Sequence, residues 1–467
     1  MILPPWHRTK IVCTLGPATD APGVLGKLIA AGMDVARINM SHGSHAEHVA
    51  RIRAVRLLGL RMEQPVAVLA DLPGPKFRLG PIANGSRRLE EGAAISLAST
   101  AGDSEATLPV RNPELLHALR AGETVFLADG AVELRVTGRE TDSVQCEVAI
   151  GGTVRSGSGI NVPESRLEAL IPTDDDRRHL AFALAQDVDW VGVSFVQSAE
   201  DIARVRACID TEHPPLLMAK IEKRQALANL DAIVAAADGV MVARGDLGVE
   251  TDLAHIAIVQ KRIIAVANAQ ARPVVTATQM LESMIEHEHP TRAEVADVAN
   301  AVLDGTDAVM LSGETAIGRH PVEAVAIMAR VLRATEAQHP AAKVDRSGQI
   351  GNSIALAAAE LAERMQARAV VATAHEFGVA AALASTRPQL PLVIVSDTQR
   401  CTRALALVRA VAPLQSGCDP RPDRNLTQAR DWLYARRLAR PGDKVVLLFA
   451  SSSDQRDADT IQVAVLD

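Results

Sequence analysis

The stretch A-K-I-E-K-R-Q-A-L-A-N-L-D-A-I-V-A-A-A-D-G-V-M-V-A-R-G-D-L-G, Ala219 to Gly248, decides how the chain folds. Leu216 to Ile221 is a short apolar run carrying one lysine, the pattern of a buried strand. Residues two apart on a strand face the same way, so Lys220 and Glu222 project together. Residues 224 to 236 have helical composition, and Gly239 to Ala243 is a second apolar strand closed by Arg244-Gly245-Asp246. The unit is strand, helix, strand with charge at both strand ends, and in parallel α/β folds such ends build active sites. Two carboxylates, Glu222 and Asp246, on neighbouring strand ends suit a hard divalent cation, Mg²⁺ or Mn²⁺. Lys220 beside them can neutralise phosphate charge during transfer. A structural ion pair and an ordinary turn are the plain alternative for either half alone. Charge recurring at several strand ends weighs against it.

Outward from this unit the same rhythm repeats. Three strands precede it, at Thr9 to Leu15, Val35 to Met40 and Val66 to Leu72. After Pro172 a helix starts near Thr173-Asp174, with an N-cap residue and acids in its first turn. Strands then follow at Trp190 to Phe195, Leu216 to Ile221, Gly239 to Ala243, Val274 to Thr278 and Ala308 to Leu311. Three plus five βα units imply a (β/α)8 barrel, with an open doubly wound sheet as the alternative. Between residues 77 and 163 the pattern changes to short β-like runs with many glycines, an all-β insertion of roughly ninety residues. The expected units are a barrel from residues 1–76 and 164–338, a β-rich lid from 77–163, and a C-terminal α/β domain from 350–467. The polar stretch from Gln338 to Gly348 separates the last two, and Ser451-Ser452-Ser453 and the P-R-P-D segment near Asp423 read as loops.

Composition narrows the function. The chain has 467 residues, is 48% hydrophobic and carries a formal net charge of −7. An acidic chain with only 2% aromatic residues lacks both the charge and the stacking surfaces for nucleic acid. No apolar stretch is long enough to span a bilayer, and no signal-peptide core follows Pro4-Pro5. Five scattered cysteines without a C-x-x-C pair point to a reducing compartment and to neither a disulfide framework nor a zinc site. A cytoplasmic protein is expected.

Polar residues gather at the strand ends. Arg37, Asn39 and Ser41 share one face at the end of the second strand, and Asp71 ends the third. Ser194 lies on the fourth, Lys220 and Glu222 end the fifth, and Asp246 follows the sixth. Thr276, Thr278 and Gln279 end the seventh, and Ser312 and Glu314 the eighth. Singly each has a structural explanation; Thr291 and Glu294, for example, read as a capping box. A rim on which six or more strand ends carry polar groups reads as a barrel active site.

The motifs R-I-N-M-S-H-G, D-L-P-G-P-K-F-R, A-K-I-E, A-R-G-D-L-G, A-T-Q-M-L-E-S-M, P-T-R-A-E and M-L-S-G-E-T-A resemble those of the pyruvate kinases, in family order. The resemblance implies phosphoryl transfer from phosphoenolpyruvate to ADP, giving pyruvate and ATP, by a homotetramer. It implies that Glu222 and Asp246 hold Mg²⁺, that Lys220 and Arg37 contact the phosphoryl group, and that Ala243, Arg244, Gly245 and Asp246 seat the substrate carboxylate. Thr278 would deliver a proton to the enolate carbon, with Ser312 and Glu314 behind it. His42, Arg78 and Asn39 would lie on the nucleotide side. Asn39, Ser41, Asp71 and the carbonyl of Leu72 match the groups that hold K⁺ in the family. Members with lysine at the place of Lys76 tend to work without K⁺, and a lysine brought to Asp71 would supply the same charge, so K⁺ is not expected to be required.

Two departures stand out. The lid motif reads S-G-I-N-V-P, so Ser158 replaces the family's lysine near the nucleotide phosphates, with Arg155 as a substitute. The C-terminal loop reads T-A-H-E-F-G-V-A, with Glu376 where activated members bind an effector phosphate, so fructose 1,6-bisphosphate is expected not to activate. The competing functions are a metal-dependent aldolase or lyase acting on pyruvate enolate, and a non-catalytic relative. The lid and Lys220 weigh against the first, and the joint presence of Lys220, Glu222 and Asp246 against the second.

Overall fold

Alternation of side chains along the parallel strands sorts the barrel into an inner and an outer layer. The computed structural model describes residues 6–99, 106–140, 142–164, 170–338, 353–374, 377–415, 422–449 and 458–467. Eight strands close on themselves: β1 (Lys10–Thr14), β2 (Val35–Asn39), β3 (Ala67–Asp71), β4 (Trp190–Val193), β5 (Leu216–Ile221), β6 (Gly239–Ala243), β7 (Val274–Ala277) and β8 (Ala308–Leu311). Each pairs in parallel with its neighbours, and β1 pairs with both β2 and β8, which excludes the open sheet. Val12, Val35, Leu69, Trp190, Met218, Met241, Val275 and Met310 fill the interior. The alternate positions, among them Cys13, Ile38, Val68, Val191, Ala219 and Val240, pack outward against the helices. The helices that matter below are α1 (His45–Arg61), α2 (Asp174–Ala185) and α3 (Arg244–Glu250). Capping boxes start α1 at Ser44 and α2 at Thr173, and the expected box of Thr291 and Glu294 is formed. Residues 224 to 236 make two helices rather than one, broken at Asn229.

Between β3 and α2 the chain builds a seven-stranded sheet and a two-stranded ribbon around a separate core of Leu97, Leu108, Val125, Leu134 and Val144. One short helix, Pro113–Ala118, interrupts what the sequence reads as all-β. The last unit is a five-stranded sheet ordered Val411–Gln415, Leu392–Ser396, Val370–Thr373, Lys444–Phe449 and Thr460–Val465, the final strand antiparallel. Its edge strand Val411–Gln415 was hidden in the sequence by Pro413, a residue that edge strands tolerate. The P-R-P-D segment runs into a helix, Pro422–Ala435, instead of a loop. Residues 339–348 and Ser451 to Ser453 lie outside the described residues, as do His375, Glu376 and Cys418.

The C-terminal unit supplies the floor of the barrel. Ala406 and Leu407 are fully buried within the interior cluster, and Trp190 Nε1 of β4 donates to the Ala404 carbonyl at 3.1 Å. Arg387 forms a buried ion pair with Asp307 at 2.7 Å across the same junction. Leu407→Ala should therefore destabilise the chain by about 2–5 kcal/mol, the usual cost of truncating a packed leucine. Denaturant titration followed by tryptophan fluorescence checks this; an unchanged midpoint would mean that the floor contributes no packing energy.

Candidate active site

Where the inward positions of the strands reach the C-terminal rim, they turn from apolar to charged. Arg37 follows Val35 on the inner face of β2, and its Nε donates to Asp71 Oδ2 at 2.7 Å while its Nη1 donates to Thr14 Oγ1 at 2.9 Å. Asp71 follows Leu69 on the inner face of β3 and is 1% exposed. Lys220 follows Met218 on β5. Its ammonium lies 3.1 Å from Asp71 Oδ1 and 2.9 Å from Glu222 Oε1, and donates to Ser194 Oγ at 2.6 Å. The Ser194 hydroxyl in turn donates to the Leu72 carbonyl at 2.7 Å. Glu222 Oε2 accepts the Phe195 amide at 2.7 Å. Every atom of this ring is positioned by a strand end or by its neighbour in the ring, which is rigid preorganisation.

Burial by itself disfavours charge here, and the partners decide the outcome. Burial opposes the Lys220 ammonium, but Asp71 and Glu222 outweigh it and raise its pKa. Asp71 is lowered despite its burial, because Lys220 and Arg37 flank it. Glu222 goes the other way: burial raises its pKa, Asp246 adds to the rise, and Lys220 opposes it only in part. Two carboxylates that repel each other across a buried rim, both with hard oxygen donors, form a set suited to a small divalent cation.

Lys76 corrects one expectation. Its ammonium meets Asp246 Oδ1 at 2.9 Å and lies 3.5 Å from Asp129 Oδ1 of the lid, and it does not pair with Asp71. Both oxygens of the buried Asp71 already face Arg37 and Lys220, whereas Lys76, beyond the Pro-Gly-Pro turn, extends toward the start of α3. Burial works against the Lys76 charge, and Asp246 with Asp129 and Glu222 raises its pKa overall.

The remaining expected residues divide between rim and support. Thr278 Oγ1 accepts the Gly245 amide at 2.8 Å and donates to the Ala277 carbonyl, fixing the hydroxyl at the beginning of α3. Ala243 and Gly245 share that corner. The Arg244 side chain leaves it: its guanidinium binds Asp297 at 2.7 Å and the Thr278 carbonyl. Glu314 is 2% exposed and accepts the amides of Leu281 and Ser312, tying together the loops after β7 and β8. Burial raises its pKa and those amides oppose the rise. The Ser312 hydroxyl beside it is buried without a partner. Thr276, expected on the rim, faces outward between Val275 and Ala277 and is engaged by Thr306 at 3.0 Å.

Beneath the lid, His42, Lys76, Arg78, Asp129, Arg155 and Ser158 line one cavity of about 400 Å³. Burial, then Arg78, Arg37 and Lys76, lower the His42 pKa, so the imidazole is neutral among cations at neutral pH. Asn39 Oδ1 accepts the Ser41 amide at 3.1 Å and closes the turn that leads to His42. Three groups in the site were not found from the sequence. Thr14 carries only the weak signal of a threonine at a strand end, Asp129 sits in a left-handed lid turn with φ 56°, and Asn161 donates to the buried Glu250, which also takes Lys223 at 2.7 Å.

Comparison with known proteins now gives the geometry a context. Residues 6–325 match the family model described as the pyruvate kinase barrel domain, and residues 352–464 match the pyruvate kinase alpha/beta domain. A protein named pyruvate kinase 2 from Synechocystis sp. is 41% identical over 451 residues, 94% of this chain and 76% of its own length. Pyruvate kinases of Methylorubrum extorquens and Agrobacterium vitis are 39% and 37% identical, covering 95% and 99% of this chain and 94% and 98% of their own lengths.

Proposed function

The chain belongs to the pyruvate kinase family and is a phosphotransferase, and from that premise we propose how its own residues move a phosphoryl group from phosphoenolpyruvate to ADP. The observation that carries the reading is the clasp on Lys220: an ammonium fixed by Asp71, Glu222 and Ser194 at the centre of the rim. An immobile charge of this kind gains most when negative charge moves to the oxygens of a transferring phosphoryl group. Arg37, fixed by Asp71 and Thr14, presents a second cation to the same oxygens. The backbone from Ala243 to Asp246 and the Thr278 hydroxyl seat the substrate carboxylate, and Thr278 delivers the proton that turns enolate into pyruvate. Ser312 and Glu314 position the loops behind it and are supporting residues. His42, Arg78 and Arg155 receive the nucleotide phosphates, with Arg155 standing where Ser158 cannot.

Glu222 and Asp246 would hold the divalent cation, Mg²⁺ or Mn²⁺, and their mutual repulsion supports this assignment. Such a cation, when bound, supplies Lewis-acid charge to the enolate and phosphoryl oxygens. The lid, joined to the barrel through Lys76 with Asp129 and through Asn161 with Glu250, excludes the water that would otherwise hydrolyse the phosphoryl group. Among the described residues no helix is long and apolar enough to cross a membrane. The scattered cysteines, without a C-x-x-C pair, support a cytoplasmic setting. The exposed Leu253 and Ile258 beside α3 support assembly into a tetramer.

A coupled assay for pyruvate, with phosphoenolpyruvate, ADP and Mg²⁺, tests the reading; absence of pyruvate formation in the folded chain would end it. Two further results are expected from the same assay. K⁺ should change the rate by less than about twofold relative to a non-activating cation, well under 1 kcal/mol of barrier, because Arg37 and Lys220 already neutralise Asp71. Strong K⁺ activation would contradict it. Arg155→Ala should raise the KM for ADP about fivefold, ~1 kcal/mol, with kcat nearly unchanged, the pattern of a group that binds ground and transition states alike. An unaltered KM would remove Arg155 from the nucleotide site.

A further inference from the structure

Helices α1 and α2 meet along a seam of imidazoles that the proposed reaction does not use. His45, the first residue of α1, points its Nε2 at Nδ1 of His179 on α2, 3.0 Å away. The His45 ring also stacks on Phe182 with centroids 4.1 Å apart, and this fixes its plane. On the far side of the His179 ring, Nε2 lies 3.5 Å from Asp175 Oδ1, one helical turn back, a carboxylate that Arg178 also binds. His48, three residues on from His45 and on the same face of α1, is 2% exposed with both ring nitrogens unpartnered. We propose that His45 and His179 form a binding site for a borderline divalent cation such as Zn²⁺, clamping α1 to α2.

The chemistry of the pair fits that class of ion. Imidazole nitrogen suits Zn²⁺, Ni²⁺ and Cu²⁺, whereas Mg²⁺ prefers the oxygen donors of the rim. Two nitrogens bound to tetrahedral zinc at about 2.05 Å stand roughly 3.3 Å apart, close to the observed spacing, and both rings must tilt so that their lone pairs converge on the cation instead of facing each other. The cation replaces the proton shared between Nε2 and Nδ1; that proton moves to the other nitrogen of its ring. Asp175 then faces an Nε2–H on His179, the carboxylate–histidine arrangement that orients metal-binding imidazoles. Among the described residues no three metal-ligating side chains converge, which leaves the other positions of the cation to water. The clamp has a structural consequence near the lid. Asp176, in the first turn of α2, accepts the amide of Gly74 at 2.9 Å, in the segment where the chain leaves β3 for the lid.

Calorimetric titration of the whole chain with Zn²⁺, in a large excess of Mg²⁺, tests the site. One saturable zinc per chain is expected, with an affinity lowered more than about tenfold in His45→Asn and in His179→Asn, and about tenfold in Asp175→Asn, the usual effect of losing an orienting carboxylate. Asp246→Asn should leave zinc binding unchanged, which separates this site from the catalytic rim. Both histidine variants should keep the parent's activity with Mg²⁺ and lose the zinc-dependent rise in thermal midpoint. No saturable binding, loss in only one histidine variant, or loss in Asp246→Asn would overturn the proposal.

Discussion

Lys220→Ala should lower kcat by about a thousandfold, as removal of a preorganised electrostatic stabiliser does, while the KM for phosphoenolpyruvate changes far less. The ammonium stands between Asp71 and Glu222 and is held by Ser194, so its position is set before substrate arrives. Its interaction therefore strengthens as charge develops on the phosphoryl oxygens, and a loss of that kind appears in kcat. The substitution has a second effect that must be separated from the first. It leaves two carboxylates buried at about 1% exposure without their shared cation, and breaking a buried pair costs about 3–5 kcal/mol of stability. Lys220→Arg separates the two: the charge is kept and the fold should survive, yet the bulkier guanidinium cannot occupy the same point, and activity should still fall about a hundredfold. If Lys220→Ala stayed within about tenfold of the parent, under 1.4 kcal/mol of barrier, the central role would be wrong.

Asp246→Asn should raise the Mg²⁺ concentration for half-maximal activity by about a hundredfold, since even an indirect partner of a metal ligand commonly contributes ten- to a hundredfold in affinity. Asp246 is the better test of the two acidic residues. Its side chain is 23% exposed and its ion pairs are with Lys76, whereas Glu222 also holds the Phe195 amide and Lys220. Losing the Glu222 charge would disturb the clasp and the cation together. Loss of the Asp246 charge leaves the clasp in place, so the effect should be confined to the metal titration. Direct Mn²⁺ binding, measured without substrate, gives the same comparison free of catalysis. Equal titrations for variant and parent would show that Asp246 is not a ligand.

The eight barrel strands were legible because buried parallel strands read as short apolar runs, each closed by a polar group. The fold class follows from their number and from the helices between them. What escaped was short or ambiguous. Phe77–Arg78 and Gly159–Asn161 are too brief to show a period, and Ser86–Leu89 hides a strand under two arginines. In the site, strand parity put Arg37 on one face with Asn39 and Ser41 and put Lys220 with Glu222, Asp71 was read as a strand end, and the structure brings Arg37, Asp71, Lys220 and Glu222 together. Parity also explains the failure at Thr276, since Val275 and Ala277 take the inward positions of β7. The reach of Lys76 was beyond such reasoning: it follows a turn rather than a strand, and no periodicity says whether it meets Asp71 or Asp246. The partner it shares with the lid, Asp129, belongs to a loop whose direction only the assembled sheet defines.

The floor made by Ala406 and Leu407 bears on the order in which the chain can be born. The barrel closes when β8 ends at Leu311, but the side chains that seal its lower mouth are encoded nearly a hundred residues later. At roughly 5–20 residues per second of synthesis, the eight strands wait about 5–20 s before their plug leaves the ribosome. During that interval Trp190 and its neighbours face water at the open end, a sticky surface that invites chaperones or aggregation. Expression of a chain truncated after residue 338 should therefore yield insoluble barrel, and supplying the C-terminal segment in trans is the natural attempt at rescue.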